Sequence, residues 1–161
     1  MPATPRDAKG MLLSAIKDPN PVMLIEYRWL HSLKDEVPDE EFDTPLDRAN
    51  IMRDGSSITV AAYSYILIEV LKVVDVLAEY GVSVELIDMR CVNPVDEKTL
   101  FDSVAKPGCL LVLDTGNEHL GISADLIARV STALFKSLKH APARMASPNH
   151  PVPTSHYQSA S

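Results

Sequence analysis

A chain of 161 residues, 46% hydrophobic and 23% charged, can bury one domain core and carry a short appendage, which excludes an extensively disordered protein. Its formal net charge of −7 argues against a nucleic-acid partner, whose phosphates require a basic face; the acidity reads as solubility, with a basic protein partner as the alternative. No run approaches a membrane span, the opening MPATPRDAKG lacks the apolar core of a secretion signal, and Cys91 and Cys109 form no CxxC pair, so the expectation is a cytoplasmic chain with buried free thiols and no membrane partner.

Residues 6–17 read as a helix, with Met11, Leu12, Ala15 and Ile16 in a stripe, Thr4 as N-cap and Pro5 at the first position. The breaker DPNP at 18–21 ends it. Residues 21–26 then read as a short strand that is apolar on both faces, a type found inside covered sheets. One helix and one such strand cannot make that sheet alone, so residues 1–31 read as the end of a larger domain. Their apolar faces call for a second chain, or else poor order. Residues 32–47 are acidic, carry two prolines and read as a linker. Their carboxylates lack the glycine-centred loop that would converge them on a cation.

A new unit begins near residue 48. Residues 48–53 read as a strand, Asp54 and Gly55 as a tight turn, and residues 57–63 as a second strand paired antiparallel to the first. A long helix is expected over 65–80, with Ser64 as its cap, Leu67, Val70, Leu71, Val74 and Leu77 on one face, and Gly81 at its C-terminal end. Strand 82–89, helix 96–105 capped by Asp96, strand 109–114, helix 123–139 capped by Ser123 and strand 142–146 follow. The fold class is therefore α/β: three layers around a mostly parallel sheet with one antiparallel edge strand, preceded by a helix-strand remnant of a second α/β domain. Residues 147–161 form a proline- and serine-rich tail, read as extended.

Open α/β sheets bind ligands beyond their C-terminal strand ends. Here the richest such end is the loop with Asp114, Asn117, Glu118 and His119, leading to a helix N-terminus that could hold an anion. Turn chemistry explains the same residues without a ligand. The sequence holds no GxGxxG and no GxxxxGK[ST], so nucleotide binding has no motif behind it. Ser64 follows a strand and precedes a helix as a nucleophile elbow would, but the flanking glycines of GxSxG are missing, and it reads as a cap. His31, His119, His140, His150 and His156 make no HxxxH or HExxH pair. Arg28 and Trp29, a cation beside an aromatic, are a possible partner contact, the alternative being that Trp29 covers an apolar seam.

Longer phrases carry a resemblance. MPATPRDAKGMLLSAIKDPNPVMLIEYRWLH resembles the end of the pyrimidine-binding domain in β-subunits of thiamine-diphosphate-dependent 2-oxo-acid dehydrogenases and transketolase-like proteins. TPLDRANIMRDGSSITVAAYSY, VSVELIDMRCVNPVDEKTL and SPNHPVPTS resemble successive stretches of that family's C-terminal domain, so the likeness runs over nearly the whole chain. Arg6 stands where the family often has tyrosine and Asp47 where it often has glycine. Met1 coincides with an internal methionine of the family phrase, which implies a chain that begins mid-domain.

The resemblance implies a mixed five-stranded C-terminal domain that supports homodimers or hetero-oligomers of α and β subunits and helps dock the dihydrolipoyl acyltransferase core. It places thiamine diphosphate and magnesium in the complete enzyme, outside this chain. The family's cofactor-activating glutamate, active-site histidine and magnesium-holding motif have no matching positions here, so no catalytic, cofactor or metal residue is carried over. The expectation is a non-catalytic assembly part that is inactive alone. The alternative is a stand-alone homodimeric binding or regulatory module that reuses the fold.

Overall fold

The structure is a computed structural model that describes residues 1–150; the predicted tail from 151 onward, with His156, lies outside the described residues. Five strands form one sheet in the order β1-β3-β2-β4-β5, where β1 is Asn50–Arg53, β2 Ile58–Ala62, β3 Val84–Asp88, β4 Leu110–Asn117 and β5 Ala143–Ser147. β2 to β5 are parallel and β1 is the antiparallel edge, as the alternation of strands and helices implied. Helices cover both faces: α1 Pro5–Lys17, α2 Ser64–Leu71, α3 Val74–Glu79, α4 Glu97–Ala105 and α5 Ile122–Leu134.

The sheet order corrects the expected hairpin. β1 and β2 are joined through Asp54 and Gly55 but do not pair; β3 enters between them, antiparallel to β1 and parallel to β2. Burial explains the choice. Residues of β2 from Thr59 to Ala62 and all of β3 are buried and need a neighbour on each side, whereas β1 alternates between half-buried and exposed positions and suits an edge. The connection crosses the start of β3, where a Cβ on Gly55 would lie 2.2 Å from the Val84 carbonyl carbon.

The strands divide the core. Ala61, Ile87 and Val112 meet Leu100 and Val104 of α4 and Leu126 of α5 on one face. Val60, Ala62 and Leu86 meet Leu67 and Val70 of α2 and Val74 of α3 on the other. Two fully buried hydroxyls, Thr59 Oγ1 and Ser103 Oγ, satisfy each other at 2.8 Å beneath the sheet.

Three helix expectations hold and four are revised. Thr4 accepts the Asp7 amide with Pro5 leading α1, Asp96 accepts the Thr99 amide, and Gly81 with φ +79 closes α3 while Val82 N–H reaches the Leu77 carbonyl. The helix expected over 65–80 is two. Lys72 and Val73 turn tightly, each amide bonding three residues back, and adjacent β-branched valines disfavour a continuous helix there. Ser64 is not a cap: it has φ +52, and its hydroxyl donates to the Pro2 carbonyl at 2.9 Å. Ser123 is not a cap either, because α5 starts one residue earlier and Gly121 holds the cap position. That helix stops at Leu134. β4 runs on through Asn117, so the predicted loop shortens to residues 118–121, and Ser147 closes β5 rather than opening the tail.

The appendage also departs from expectation. α1 does not wait for a second chain: Ala3, Asp7, Gly10 and Met11 are buried against the rest of the molecule, while Leu12 and Ile16 stay exposed. Residues 42–44 cross it closely enough that a Cβ on Gly10 would sit 2.2 Å from Thr44 Oγ1. The expected strand at 21–26 is absent. Residues 21–26 form no regular element and make no backbone–backbone hydrogen bond to any described residue.

Candidate functional site

The winding of the sheet reverses between β2 and β4, and the C-terminal ends of β2, β3 and β4 are where an open α/β sheet would take a ligand. In this chain the N-terminal segment lies over the ends of β2 and β3. Pro2 O receives Ser64 Oγ, the Met1 amino group donates to Arg90 O at 2.7 Å, and Ala3 joins the core beside β2. Arg90, just past β3, clasps Asp7 of α1 with Nε to Oδ2 at 3.0 Å and Nη2 to Oδ1 at 2.8 Å. Both side chains are largely buried, at 14% and 6% exposure, so this pair is shielded from salt in a way a surface pair is not.

Two residues under this segment have left-handed backbone, Ser64 at φ +52 and Arg90 at φ +55. Non-glycine residues adopt that region at some cost, and such strain persists where surrounding structure over-determines it. Asp88, the last residue of β3, is fully buried. Its Oδ1 accepts the Arg90 amide at 3.0 Å and its Oδ2 has no partner among the described residues. Burial pushes the Asp88 carboxyl up to about 7, and the nearby Asp7 carboxylate acts in the same direction. The buried Tyr63 hydroxyl and Ser123 Oγ also lack partners among the described residues, and burial raises the Tyr63 hydroxyl above its ordinary range.

The loop singled out from sequence resolves into a structural role. Asp114 Oδ1 accepts the Gly116 amide at 2.8 Å and Oδ2 accepts the Ser123 amide at 3.1 Å, so Asp114 caps α5 from nine residues upstream. Its carboxylate already occupies the place an anion would take. Asn117, Glu118 and His119 are exposed and do not converge with it, although the Glu118 amide ties the loop to Ser147 O at 2.9 Å. Ser64 points at the N-terminal segment instead of this loop. Among the described residues, no group of three or more His, Cys, Asp or Glu side chains could hold a metal ion.

Arg28 and Trp29 lie in a short 3-10 turn, Arg28–Ser32. Trp29 is 63% exposed and does not cover an apolar seam. Its ring stands edge-on to Tyr27 and Tyr65, at 5.8 and 5.1 Å between centroids, and those two stack on each other at 4.8 Å. The result is an aromatic platform, exposed at Trp29 and half-buried at Tyr27 and Tyr65, that joins the segment after α1 to α2. On the other side of that segment, residues 20–25 border a crevice of about 440 Å³ with Met1, Met11, Leu46 and Cys91. Sequence reasoning, which takes residues 88–90 as one of three strand ends open to a ligand beside 63–65 and 114–119, does not join Asp88 and Arg90 to Asp7. The signal for that group was faint: two acids, Glu85 and Asp88, within one short buried strand, and an Arg90–Asp7 pair whose members lie 83 residues apart.

Among the described residues, no helix is long and apolar enough to cross a membrane. The sequence profile of the transketolase C-terminal domain matches residues 47–160. The chain is 40% identical over 144 residues to the pyruvate dehydrogenase E1 component subunit beta of Acholeplasma laidlawii, covering 89% of this chain and 44% of that protein. It is 36% identical over 160 residues to the subunit of the same name from Bacillus subtilis, covering 99% and 49%. It is 35% identical over 154 residues to the acetoin:2,6-dichlorophenolindophenol oxidoreductase subunit beta of Cupriavidus necator, covering 96% and 46%. The chain thus spans about half the length of the curated relatives it matches. A solved split-gene transketolase, described as an inactive β4 tetramer, shares the fold with a TM-score of 0.71 over 92% of this chain and 47% of its own, at 16% identity.

Proposed function

The chain belongs to the transketolase C-terminal domain family, and from that premise we propose that it is the assembly and partner-docking part of a thiamine-diphosphate-dependent 2-oxo-acid dehydrogenase β-subunit or transketolase-like protein, active only with the parts it lacks. The observation that carries this reading is the apolar run 21–26. Val22, Met23 and Ile25 are 40%, 84% and 45% exposed, and the backbone beside them has no ladder partner among the described residues. Covering a fully exposed side chain of this kind yields about 1.5–3 kcal/mol, so Met23 would gain most of that and Val22 and Ile25 less than half of it, and a neighbouring strand would satisfy the peptide groups as well. A pyrimidine-binding half, which relatives of twice this length have room for, would supply that strand. In this reading residues 1–31 close that half, 32–47 link it to the following domain, and the assembly is cytoplasmic.

The described residues do not suit thiamine diphosphate and magnesium. A magnesium–diphosphate unit needs oxygen donors converging on the ion, and the closest carboxylates, Asp7 and Asp88, are already engaged with Arg90. In the assembled enzyme the cofactor would be held by the other parts and would supply the carbanion chemistry. This chain's residues would position those parts: the run 21–26 by strand pairing, and the platform of Tyr27, Trp29 and Tyr65 beside Arg28 by stacking on a subunit of the hetero-oligomer. The dihydrolipoyl acyltransferase core is a further partner in the same scheme.

Calorimetry with thiamine diphosphate and magnesium tests the reading, on this chain alone and on its mixture with a pyrimidine-binding half and an α-subunit. Binding only in the mixture is the expected result. Binding by the chain alone overturns it and returns attention to the sheet's C-terminal edge. Absence of binding in both favours the stand-alone homodimeric module.

A further inference from the structure

Asp88 is a buried carboxyl that the fold satisfies only in part. It has no exposed surface, one of its oxygens is unpartnered among the described residues, and the guanidinium next to it is committed to another carboxylate. The charged and titratable groups facing it are Asp7 of α1, Arg90 immediately beyond β3, and the amino group of Met1; Tyr63, just past β2, and Cys91 lie in the same field. Arg90 is the hinge of this group. Its amide holds Asp88 and its side chain holds Asp7, so the two carboxylates share one residue.

We propose that Asp88 gates the seating of the N-terminal segment: when it is neutral, Arg90 serves Asp7 alone and residues 1–11 stay on the sheet, and when it is ionised, Arg90 is divided between two carboxylates and the segment loosens. The proposal concerns how this chain holds its own segment and stands apart from the identity of any partner.

The sign follows from proton linkage. In the seated state burial holds the carboxyl up at about 7, whereas in an unseated, hydrated state it returns toward its ordinary 3.8. Between those values the seated state binds a proton that the unseated state does not. Seating therefore weakens as pH rises from about 4 to about 7, by up to tenfold per pH unit, and is level above that. The Met1 amino group acts oppositely. Burial lowers it in the seated state, so its titration strengthens seating as pH rises.

Amide hydrogen exchange on the 161-residue chain between pH 5 and 8.5, corrected for intrinsic rates, reads this directly, with α4 (Glu97–Ala105) as the internal reference. The expected result is α1 protection that falls relative to α4, approaching tenfold per pH unit between pH 5 and 7, and an Asp88→Asn chain in which it stays flat. A flat or rising wild-type profile overturns the proposal. So does an Asp88→Asn profile that keeps the wild-type slope, or α1 and α4 falling together. Should Asp88→Asn fail to fold, the carbon shift of the wild-type Asp88 carboxyl is set beside the exchange profile: an α1 protection that levels off at the Asp88 midpoint upholds the gate, and one that levels off elsewhere overturns it.

Discussion

Replacing Lys106 with methionine isolates how a buried carboxylate is tolerated in the central sheet. Glu85 lies on β3 with its side chain 2% exposed, and both of its oxygens accept Lys106 Nζ at 2.9 Å. Burial alone would raise the Glu85 carboxyl, but hydrogen bonds from Ser103 and Lys106, with the Lys106 charge, more than offset it and hold it below its ordinary value. The Gly55 amide helps. Removing one partner of a fully buried pair costs about 3–5 kcal/mol. Lys106 is 52% exposed, so water screens part of its contribution, and Ser103 and Gly55 remain. A loss of about 1–3 kcal/mol is the discounted figure, or roughly 4–8 °C in Tm for about 2 kcal/mol in a chain of this size. A depressed carboxylate contributes stability above its unfolded value of about 4.3 and loses it as pH falls through the folded value. The Lys106→Met penalty should therefore be full at pH 7.5 and shrink toward pH 4, as Glu85 takes up a proton. Thermal melts at both pH values, on Lys106→Met and on Lys106→Met with Glu85→Gln, provide the measurement. Equal losses at both pH values, or a double variant less stable than the single one, would refute the reasoning.

Gly10→Ala and Gly81→Ala separate two uses of glycine. At Gly10 the added methyl meets Thr44 and the Phe42 ring, so about 1–3 kcal/mol of overpacking should appear as faster proteolysis within residues 33–47. At Gly81 nothing lies within 4 Å, and the φ of +79 alone should cost about 1–2 kcal/mol in a urea melt without exposing that linker. Leu126→Ala, fully buried between α5 and the sheet, should lose about 2–5 kcal/mol in the same assay, whereas Leu120→Ser at the exposed loop tip should stay within about 0.5 kcal/mol. Trp29→Ala should leave the melt of the isolated chain unchanged and weaken capture of the proposed pyrimidine-binding half at least tenfold, as surface plasmon resonance would register.

What was legible in the sequence was mostly local. Thr4 with Pro5, Asp96 and Gly81 announce their helix ends because capping depends on residues within one turn, and the apolar runs of β2, β3 and β4 announce buried strands. Asp54 and Gly55 misled for the same reason. Turn chemistry reports that the chain reverses, not which strand comes to lie between the two arms, and that was decided by the need of β2 for neighbours on both sides. Ser64 and Ser123 look like caps by type, yet each falls inside its helix. The group that serves α5 as a cap is Asp114, nine residues upstream and visible only once β4 and α5 are placed. The strand expected at 21–26 has the residue types of a strand but no ladder partner among the described residues, and without a ladder those residue types do not make a strand.

The same distinction bears on where this chain offers itself to others. The C-terminal edge of an open α/β sheet gains ligands because strand ends leave polar groups and helix N-termini free. Here several of those groups are spent within the chain, Ser64 on Pro2, Arg90 on Asp7, and Asp114 on the start of α5, while Asp88 Oδ2, the Tyr63 hydroxyl and Ser123 Oγ have no partner among the described residues. Each of the first three is held by a hydrogen bond or ion pair that a ligand would have to displace before gaining anything. The segment brought in by those contacts carries the surfaces left unsatisfied, namely the apolar run at 21–26 and the platform around Trp29. The edge that would bind a small molecule thus acts as the anchor, and the anchored segment presents the unpaired backbone and exposed rings. An interface loses little conformational entropy when such a segment is already fixed at one end. Loosening the anchor should therefore weaken association through the segment before it unfolds the sheet, so Arg90→Met is expected to lose partner capture at a pH and temperature where α4 and α5 keep their exchange protection.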